Sequence, residues 1–361
     1  MTFPFDNPQL KSTFSYETTA AAVTLALDRV KKENLLPEAN FSFVLKNCEC
    51  REDIVAGHVI DMVEENLVDV VVSSPCATSA YISAVVCTRF NIPLLNWAVS
   101  TVEMADSDRF KIVLRTIGSA FRIGRAISEM LTYFEWNRVA VLYTDDKGTR
   151  KCHSIGRGTI AYLAKYDIQV VLTMIVGKEP SNEEIERFLT DFEKLARIAI
   201  VCSDTGIRRF MLRAQERGMT SDEYVYILPE YVQNENRTDL WTSYETRDGR
   251  NIEAKSAFKA SVFVEMQLAP IEELHMFKKK IPAYMRLAPF SYSKQQSDDE
   301  YGSLYAPFLH DAIYLYALAL NQTIQKGGQV SDGQRIAENS RMVHFNVFSY
   351  QRFGLRSGAY S

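Results

Sequence analysis

The sequence predicts an α/β protein of two lobes, each built on a doubly wound parallel sheet. The chain has 361 residues, which is longer than a single hydrophobic core usually supports. Short β-rich runs alternate with helical runs along most of it, the pattern typical of parallel sheets. The composition, 47% hydrophobic and 24% charged, is that of an ordinary globular protein.

The strand and helix alternation is clearest in the middle of the chain. Ser181 and Glu184 form a capping-box pattern, and the apolar residues after them recur at helical spacing. The predicted strands are 137–146, 168–176, 196–204 and 224–231, with helices at 152–165, from 181 onward and at 206–219.

The beginning of the chain repeats this pattern, and its end returns to helices. Predicted helices at 18–32, 53–65 and 77–90 alternate with strands at 41–47, 68–72 and 92–97, and the polar segment 98–111 suits a crossover. A strand at 259–266 precedes helices near 271–286 and 304–325. The predicted domains are lobe one at 1–110, lobe two at 111–255, returning helices of lobe one at 256–345 and a crossover tail at 346–361.

Ligands of such folds bind in a cleft at the carboxyl ends of the strands. Residues 73–78 follow a predicted strand and begin a helix. At such a position backbone N–H groups and the helix dipole can bind a ligand. Capping of the helix by Ser and Thr explains these residue types equally well. The candidate cleft residues are Ser73, Ser74, Ala77, Thr78, Thr144, Asp145, Asp146, Ser203, Asp204, Thr205, Glu230 and Tyr231.

Several classes of function find no support in the sequence. A net charge of −4 without a Lys/Arg block argues against nucleic-acid binding. No run is apolar enough to span a bilayer, and the first residues lack a signal-peptide pattern. GxSxG, HExxH and P-loop motifs do not occur. GRGTIA at 156–161 matches GxGxxA but lies too far from its strand, so Gly156 and Gly158 are interpreted as a weak spot in a surface helix; no catalytic residue, metal or cofactor is expected.

The six cysteines indicate disulfides in an oxidising compartment, in conflict with the missing signal peptide. A metal reading of Cys48 and Cys50 needs two more ligands, and only Cys76 and Cys87 stand near, at odd spacing. Glycosylation sequons occur at Asn40, Asn236 and Asn321, of which Asn236 lies in the most polar segment.

Six stretches carry a family likeness: VVVSSPCATSA, NIPLLNWAVS, LRTIGSAFRIGRAISEMLTYFEWNRVAVLYTDD, AIVCSDTGIRRFMLRAQERGM, HDAIYLYALALNQTIQKGG and DGQRIAENSRMVHFNVF. The chain resembles the ligand-binding ectodomain of receptor guanylate cyclases of the natriuretic-peptide-receptor type, and within them the nematode branch. The resemblance implies a periplasmic-binding-protein type I fold that binds an extracellular peptide or small molecule. It also implies a homodimer of ectodomains on the outer side of the plasma membrane, which regulates cyclic GMP synthesis by a cyclase domain absent from this chain.

The family's disulfides imply the pairs Cys50–Cys76 and Cys152–Cys202. They leave Cys48 and Cys87, which either pair with each other or remain as thiols, Cys87 then being a buried helix thiol. The family's chloride site uses the N–H of the residue before the strand-exit cysteine, and Pro75 has none, so that site is not carried over.

Two other departures concern the ends. The family's first strand is not recognisable in MTFPFDNPQLKSTFS, and the family pattern is lost after Phe348. We therefore expect a chain truncated at both ends, which accounts for the missing signal peptide, membrane span and cyclase. The alternatives are a class C receptor-like or amino-acid-binding module of the same fold, a nucleotide-binding enzyme resting on GRGTIA, and a truncated chain that folds poorly.

Overall fold

The computed structural model describes residues 1–361 except 6–9, 11–13, 100, 102, 107, 147–149, 204, 231–237, 243–247, 268–269, 293–300, 344–351 and 358–361. Within it the chain forms two compact units. The first unit comprises residues 1–117 and 268–350, and the second comprises 118–267 and 351–361. No helix among the described residues is both long and apolar enough to cross a membrane.

Residues 1–117 alternate short strands with helices. The elements are β1 (Thr2–Phe3), α1 (Tyr16–Thr19), α2 (Ala22–Lys32), β2 (Lys46–Asn47), α3 (Glu52–Glu64), β3 (Val71–Val72), α4 (Ala77–Phe90), β4 (Leu94–Asn96) and β5 (Val113–Arg115). β1 pairs in parallel with β2, and β3, β4 and β5 form a second parallel sheet. Each of these strands has only two or three residues.

Residues 118–267 form a longer parallel sheet with helices between its strands. The elements are α5 (Ala120–Tyr133), β6 (Arg138–Thr144), α6 (Lys151–Leu163), β7 (Gln169–Val176), α7 (Asn182–Leu195), β8 (Ile198–Cys202), α8 (Ile207–Glu216), β9 (Val225–Glu230), α9 (Thr238–Trp241), α10 (Asn251–Ala257) and β10 (Ser261–Gln267). α7 begins with the predicted capping box, in which Ser181 accepts from the Glu184 N–H and Glu184 accepts from the Ser181 N–H. Phe188, Phe192 and Phe210 are fully buried, each contributing roughly 1.5–3 kcal/mol of burial free energy.

The remainder of the chain comprises α11 (Ile271–Met285), α12 (Ala306–Gln325), α13 (Gly333–Ser340) and β11 (Arg352–Ser357). The strand order of the second unit is β11-β10-β9-β8-β6-β7. All its neighbours are parallel except β10 and β11, which are antiparallel. The sequence-based boundary at 255 places β10 with the returning helices, whereas its hydrogen bonds to β9 join it to the second unit.

Several expectations need correction. A first strand does exist, because Thr2 and Phe3 pair with β2, but two residues cannot show a strand pattern in sequence. The strand expected at 41–47 covers only Lys46–Asn47. The helix expected at 18–32 is divided into α1 and α2. Sequence analysis identified neither β5 nor α5.

The glycines of GRGTIA are a close helix contact instead of a weak spot on the surface. Both Gly156 and Gly158 are buried in α6. A Cβ on Gly124 of α5 would lie 2.7 Å from the Gly158 carbonyl oxygen, and a Cβ on Gly156 would lie 2.4 Å from the ring of Tyr143 in β6. Glycine is therefore required for α6 to lie against both α5 and β6.

Candidate functional site

In the second unit, parallel strands bring the predicted polar residues to one edge of the sheet. β6, β8 and β9 end at Thr144, Cys202 and Glu230, so the residues that follow them lie at the same carboxyl edge. Asp145, Asp146, Ser203 and Glu230 are half-buried at this edge, Thr205 is exposed, and Thr144 is buried. Asp204 and Tyr231 lie outside the described residues.

The start of α6 brings positive charge to this edge. Lys151 Nζ lies 2.9 Å from Glu230 Oε2, which joins the start of α6 to the end of β9. Arg150 donates to Asp145 through Nε at 3.1 Å and through a terminal nitrogen at 3.3 Å. Because both of these acidic side chains hold a basic partner, the edge presents paired charges instead of a simple negative patch.

His153 belongs to the same network, although sequence analysis assigned it no role. Arg150 lies 2.8 Å from His153 Nε2, and His153 Nδ1 lies 3.1 Å from Asp145 Oδ2. Since Arg150 can only donate, Nε2 accepts, and in the neutral ring the proton is then on Nδ1. The spacing of Asp145, Arg150 and His153 around a helix start is the signal that could have identified this group.

A small pocket of about 80 Å³ opens at this edge. Glu265 lines it from β10 and is buried, yet sequence analysis did not include it because β10 was assigned to the other lobe. The lining residues are Val201, Ser203, Ile207, Leu228, Pro229, Glu230, Leu240, Phe263 and Glu265. The pocket thus combines an apolar wall with two carboxyl groups and one hydroxyl group.

In the first unit, the predicted contact residues follow β3 but are mostly turned inward. Ser73, Ser74 and Ala77 are buried, and only Thr78 is partly exposed. The Ser74 hydroxyl donates to Cys48 Sγ at 3.3 Å and accepts from the Cys76 N–H at 3.1 Å. Ser74 therefore shapes the turn, and its bonds to the protein occupy its hydroxyl.

Two of the predicted hydroxyl groups have no hydrogen-bond partner among the described residues. They are Ser73 Oγ, at the exit of β3, and Thr144 Oγ1, at the exit of β6. Most buried polar groups are hydrogen-bonded, and an unpaired one is typical of a place where a ligand, ion or water binds. In each unit, therefore, at least one such atom lies at the carboxyl end of a parallel strand.

Disulfides fix both strand exits. Cys50–Cys76 joins the turn after β2 to the turn after β3, and Cys152–Cys202 joins α6 to the end of β8. These are the two pairs that the resemblance implies. The pair Cys48–Cys87 is not formed: both are buried thiols, Cys48 beside Ser74 and Cys87 within α4. Burial raises the pKa of the Cys48 thiol and raises that of Cys87 to about 12.

The sulfur atoms of Cys48, Cys50 and Cys76 lie within 4.8 Å of one another. Since Cys50 and Cys76 are bonded to each other, this cluster offers one free thiol and not a set of metal ligands. The Cys76 N–H is used by Ser74, and Pro75 has no N–H, so neither supplies a donor for an anion at this turn.

In α/β folds, polar groups at the carboxyl ends of parallel strands lie where ligands bind. The model of the family described as "Receptor family ligand binding region" matches residues 18–357, and the chain belongs to this family. The fold is periplasmic-binding-protein-like, as expected.

The chain is similar to receptor-type guanylate cyclases of nematodes. It is 28% identical over 337 residues to receptor-type guanylate cyclase gcy-7 of Caenorhabditis elegans, covering 88% of this chain and 30% of the relative. It is 28% identical over 357 residues to gcy-13 of the same species, covering 94% and 34%, and 25% identical over 327 residues to gcy-4 of Caenorhabditis briggsae, covering 83% and 28%. The chain thus spans about a third of the length of these relatives.

Proposed function

We propose that this chain is the extracellular ligand-binding region of a receptor-type guanylate cyclase, and that its ligand regulates cyclic GMP synthesis by the intact receptor. The observation that carries the proposal is the family match over residues 18–357, together with relatives that are receptor-type guanylate cyclases. The chain itself binds and does not catalyse. A ligand can shift the receptor between two arrangements only through a different affinity for each.

The ligand contacts in this proposal lie at the carboxyl ends of parallel strands in each of the two units. The unpaired hydroxyl groups of Ser73 and Thr144 support them, since each is buried at a strand exit without a partner among the described residues. Ser74 holds the turn in place through its bonds to Cys48 and Cys76. The proposed contacts are Ser73 and Thr78 in the first unit, and Thr144, Asp145, Asp146, Ser203, Thr205, Glu230 and Glu265 in the second.

The proposed ligand is a polar small molecule or peptide that carries both charge signs or several hydrogen-bonding groups. Lys151, Arg150, Asp145 and Glu230 are already paired with each other at the second unit's edge. A ligand with charged groups can replace one partner of each ion pair, so that no charge is left unpaired when it binds. A purely apolar molecule would leave these charges without a partner.

The proposal also covers glycan attachment at the sequons and the association of two copies of the region. Asn40 is exposed and suits a glycan, whereas Asn321 is half-buried in α12 and its side chain accepts from Gln325. Asn236 lies outside the described residues. We also propose that two copies of the region associate in the intact receptor.

The test is a chimeric receptor in which residues 18–357 replace the matched region of gcy-7, expressed with a cyclic GMP reporter. The cells are exposed to a panel of free amino acids, inorganic salts and short peptides. We expect at least one stimulus to change cyclic GMP, and Glu230→Gln or Thr78→Val to weaken the response about tenfold or more. Matched controls are Glu223→Gln, in the turn before β9 at the opposite edge, and Thr88→Val near the end of α4; both should respond normally.

The outcomes separate the alternatives. Equal responses of all four variants would remove the carboxyl-edge assignment. Free amino acids that raise the melting temperature of the isolated chain without changing cyclic GMP in the chimera would favour the amino-acid-binding module instead.

A further inference from the structure

The cluster of Cys48, Cys50 and Cys76 holds one more sulfur than its disulfide uses. Cys48 is a fully buried thiol, and all three sulfur atoms lie within 4.8 Å of one another. Among the described residues, Cys87 is the other buried thiol of the first unit and does not belong to this group. A disulfide beside a spare thiol can be exchanged without any external oxidant or reductant.

We propose that Cys48, Cys50 and Cys76 form a thiol–disulfide exchange site, in which the disulfide moves from Cys50–Cys76 to Cys48–Cys76. The Cys48 thiol first gives up its proton. Its sulfur then forms a bond with Cys76 Sγ, the Cys50–Cys76 bond breaks, and the electron pair of that bond stays on Cys50 Sγ, which takes up a proton. One disulfide and one thiol are present before and after, so atoms and electrons balance.

One hydrogen bond of Cys48 favours the thiolate that must attack, whereas burial, the larger effect, disfavours it. The Ser74 hydroxyl donates to Cys48 Sγ at 3.3 Å, and such a bond stabilises negative charge on sulfur. Burial opposes it and raises the pKa of the thiol, so the exchange is slow at neutral pH and accelerates as the pH rises.

The backbone of Cys50 favours its release. Glu49 and Cys50 have φ angles of 48° and 55°, so two consecutive non-glycine residues are in the left-handed region. This conformation is unfavourable for both, and the bond to Cys76 helps to hold it. After exchange, Cys50 no longer has this restraint.

Exchange carries the thiol from the core to the surface. Cys48 is fully buried, whereas Cys50 is half-exposed. The released Cys50 can then react with small disulfides or electrophiles that do not reach Cys48. The exchange also breaks the hydrogen bond from Ser74 to Cys48, and Ser74 holds the turn after β3. Exchange therefore changes the contacts of this turn. This consequence does not depend on whether the turn contacts a ligand.

The test uses the purified full chain in its oxidised form, with iodoacetamide as the probe. The protein is incubated at pH 7, 8 and 9 without reductant, alkylated in the native state, reduced, and labelled with N-ethylmaleimide. Cys48 and Cys50 lie in one tryptic peptide, NCECR, so fragment ions identify the residue that carries each label. We expect iodoacetamide on Cys50, and a labelling rate that rises several-fold per pH unit.

Two variants decide the interpretation. Cys48→Ser should reduce native labelling of Cys50 at least tenfold, whereas Cys87→Ser should leave it unchanged. In Cys50→Ser, mapping without reduction should find a Cys48–Cys76 disulfide. Absence of label on Cys50 in the unaltered chain, or equal labelling in Cys48→Ser, would overturn the proposal even if Cys50→Ser failed to fold.

Discussion

The two units support their strand exits in different ways. Behind the exits of β3 and β4, the first unit packs aromatic rings around the fully buried Trp97, with ring centroids of Phe3 and Phe14 at 6.1 and 5.9 Å. In the second unit, helix backbones approach each other through Gly124 and Gly158. The packing around Trp97 therefore depends on side-chain volume being present, and the contact between α5 and α6 depends on its being absent.

Both units share one device, a disulfide at the strand exit. Cys50–Cys76 spans 26 residues and Cys152–Cys202 spans 50. Replacing each pair by serine should lower the free energy of unfolding by roughly 3.5 and 4 kcal/mol in the chain-entropy model. Urea unfolding of the two double variants measures this, with reductant on the unaltered chain as the control. Variants as stable as the parent would show that packing alone fixes the exits.

The close helix contact predicts a loss on adding a single methyl group. Gly124→Ala should lower the free energy of unfolding by about 2–3 kcal/mol, because its Cβ meets the Gly158 backbone, which cannot move aside. Gly57→Ala is the matched control at an exposed position of α3, where no atom lies within 4 Å of the new Cβ. It should raise stability by roughly 0.5–1 kcal/mol. Equal effects in urea unfolding would contradict the role given to the contact.

The aromatic cluster predicts the opposite sensitivity. Trp97→Phe removes volume and the indole bond from Nε1 to the Ser73 carbonyl oxygen at 3.1 Å. Chemical denaturation should show a loss of about 2 kcal/mol. Trp136→Phe, at a half-exposed position of the second unit, should change stability by less than about 0.5 kcal/mol. A loss of stability for Trp97→Phe no larger than that for Trp136→Phe would contradict the role given to the aromatic cluster.

The smallest expected effect concerns acid, and it belongs to the second unit. Arg208 donates to both Asp248 oxygens at 2.7 Å and, with the Arg250 N–H, holds the pKa of that carboxyl well below its usual range. A lowered pKa means stability that is present above the unfolded pKa, about 3.9, and lost as the pH falls below it.

Asp248→Asn should therefore flatten the decline of unfolding free energy between pH 5 and pH 2. Asp222→Asn, in the exposed turn before β9, is the control and should keep the slope of the parent. Parallel curves for all three proteins would show that the Arg208 pair adds nothing to acid sensitivity.

Local patterns predicted much of the fold. The helix expected at 77–90 is found as Ala77–Phe90, and the capping box at Ser181 forms with both of its hydrogen bonds. Such signals lie within a few residues of each other, so sequence reveals them. The short strands β1 and β5 were not identified from the sequence. Glu265 was not included because the predicted boundary at 255 placed β10 in the other lobe.

The candidate site was predicted by position but not by orientation. Strand exits located Thr144, Ser203 and Glu230 at one edge, since parallel strands share their carboxyl end. Sequence could not show that Ser74 turns its hydroxyl towards Cys48, nor that His153 joins Asp145 and Arg150. Those contacts depend on the angles at which helices leave their strands.

The sequence by itself determined the alternation of strands and helices, the helix starts and the family. Only the tertiary structure decided that Cys48 stays a thiol beside a disulfide, and that the glycines of GRGTIA serve a backbone contact. The physical reason is distance along the chain. Periodicity and capping act over a few residues, whereas the contact of Cys48 with Ser74 joins residues 26 positions apart and depends on how the intervening helix packs.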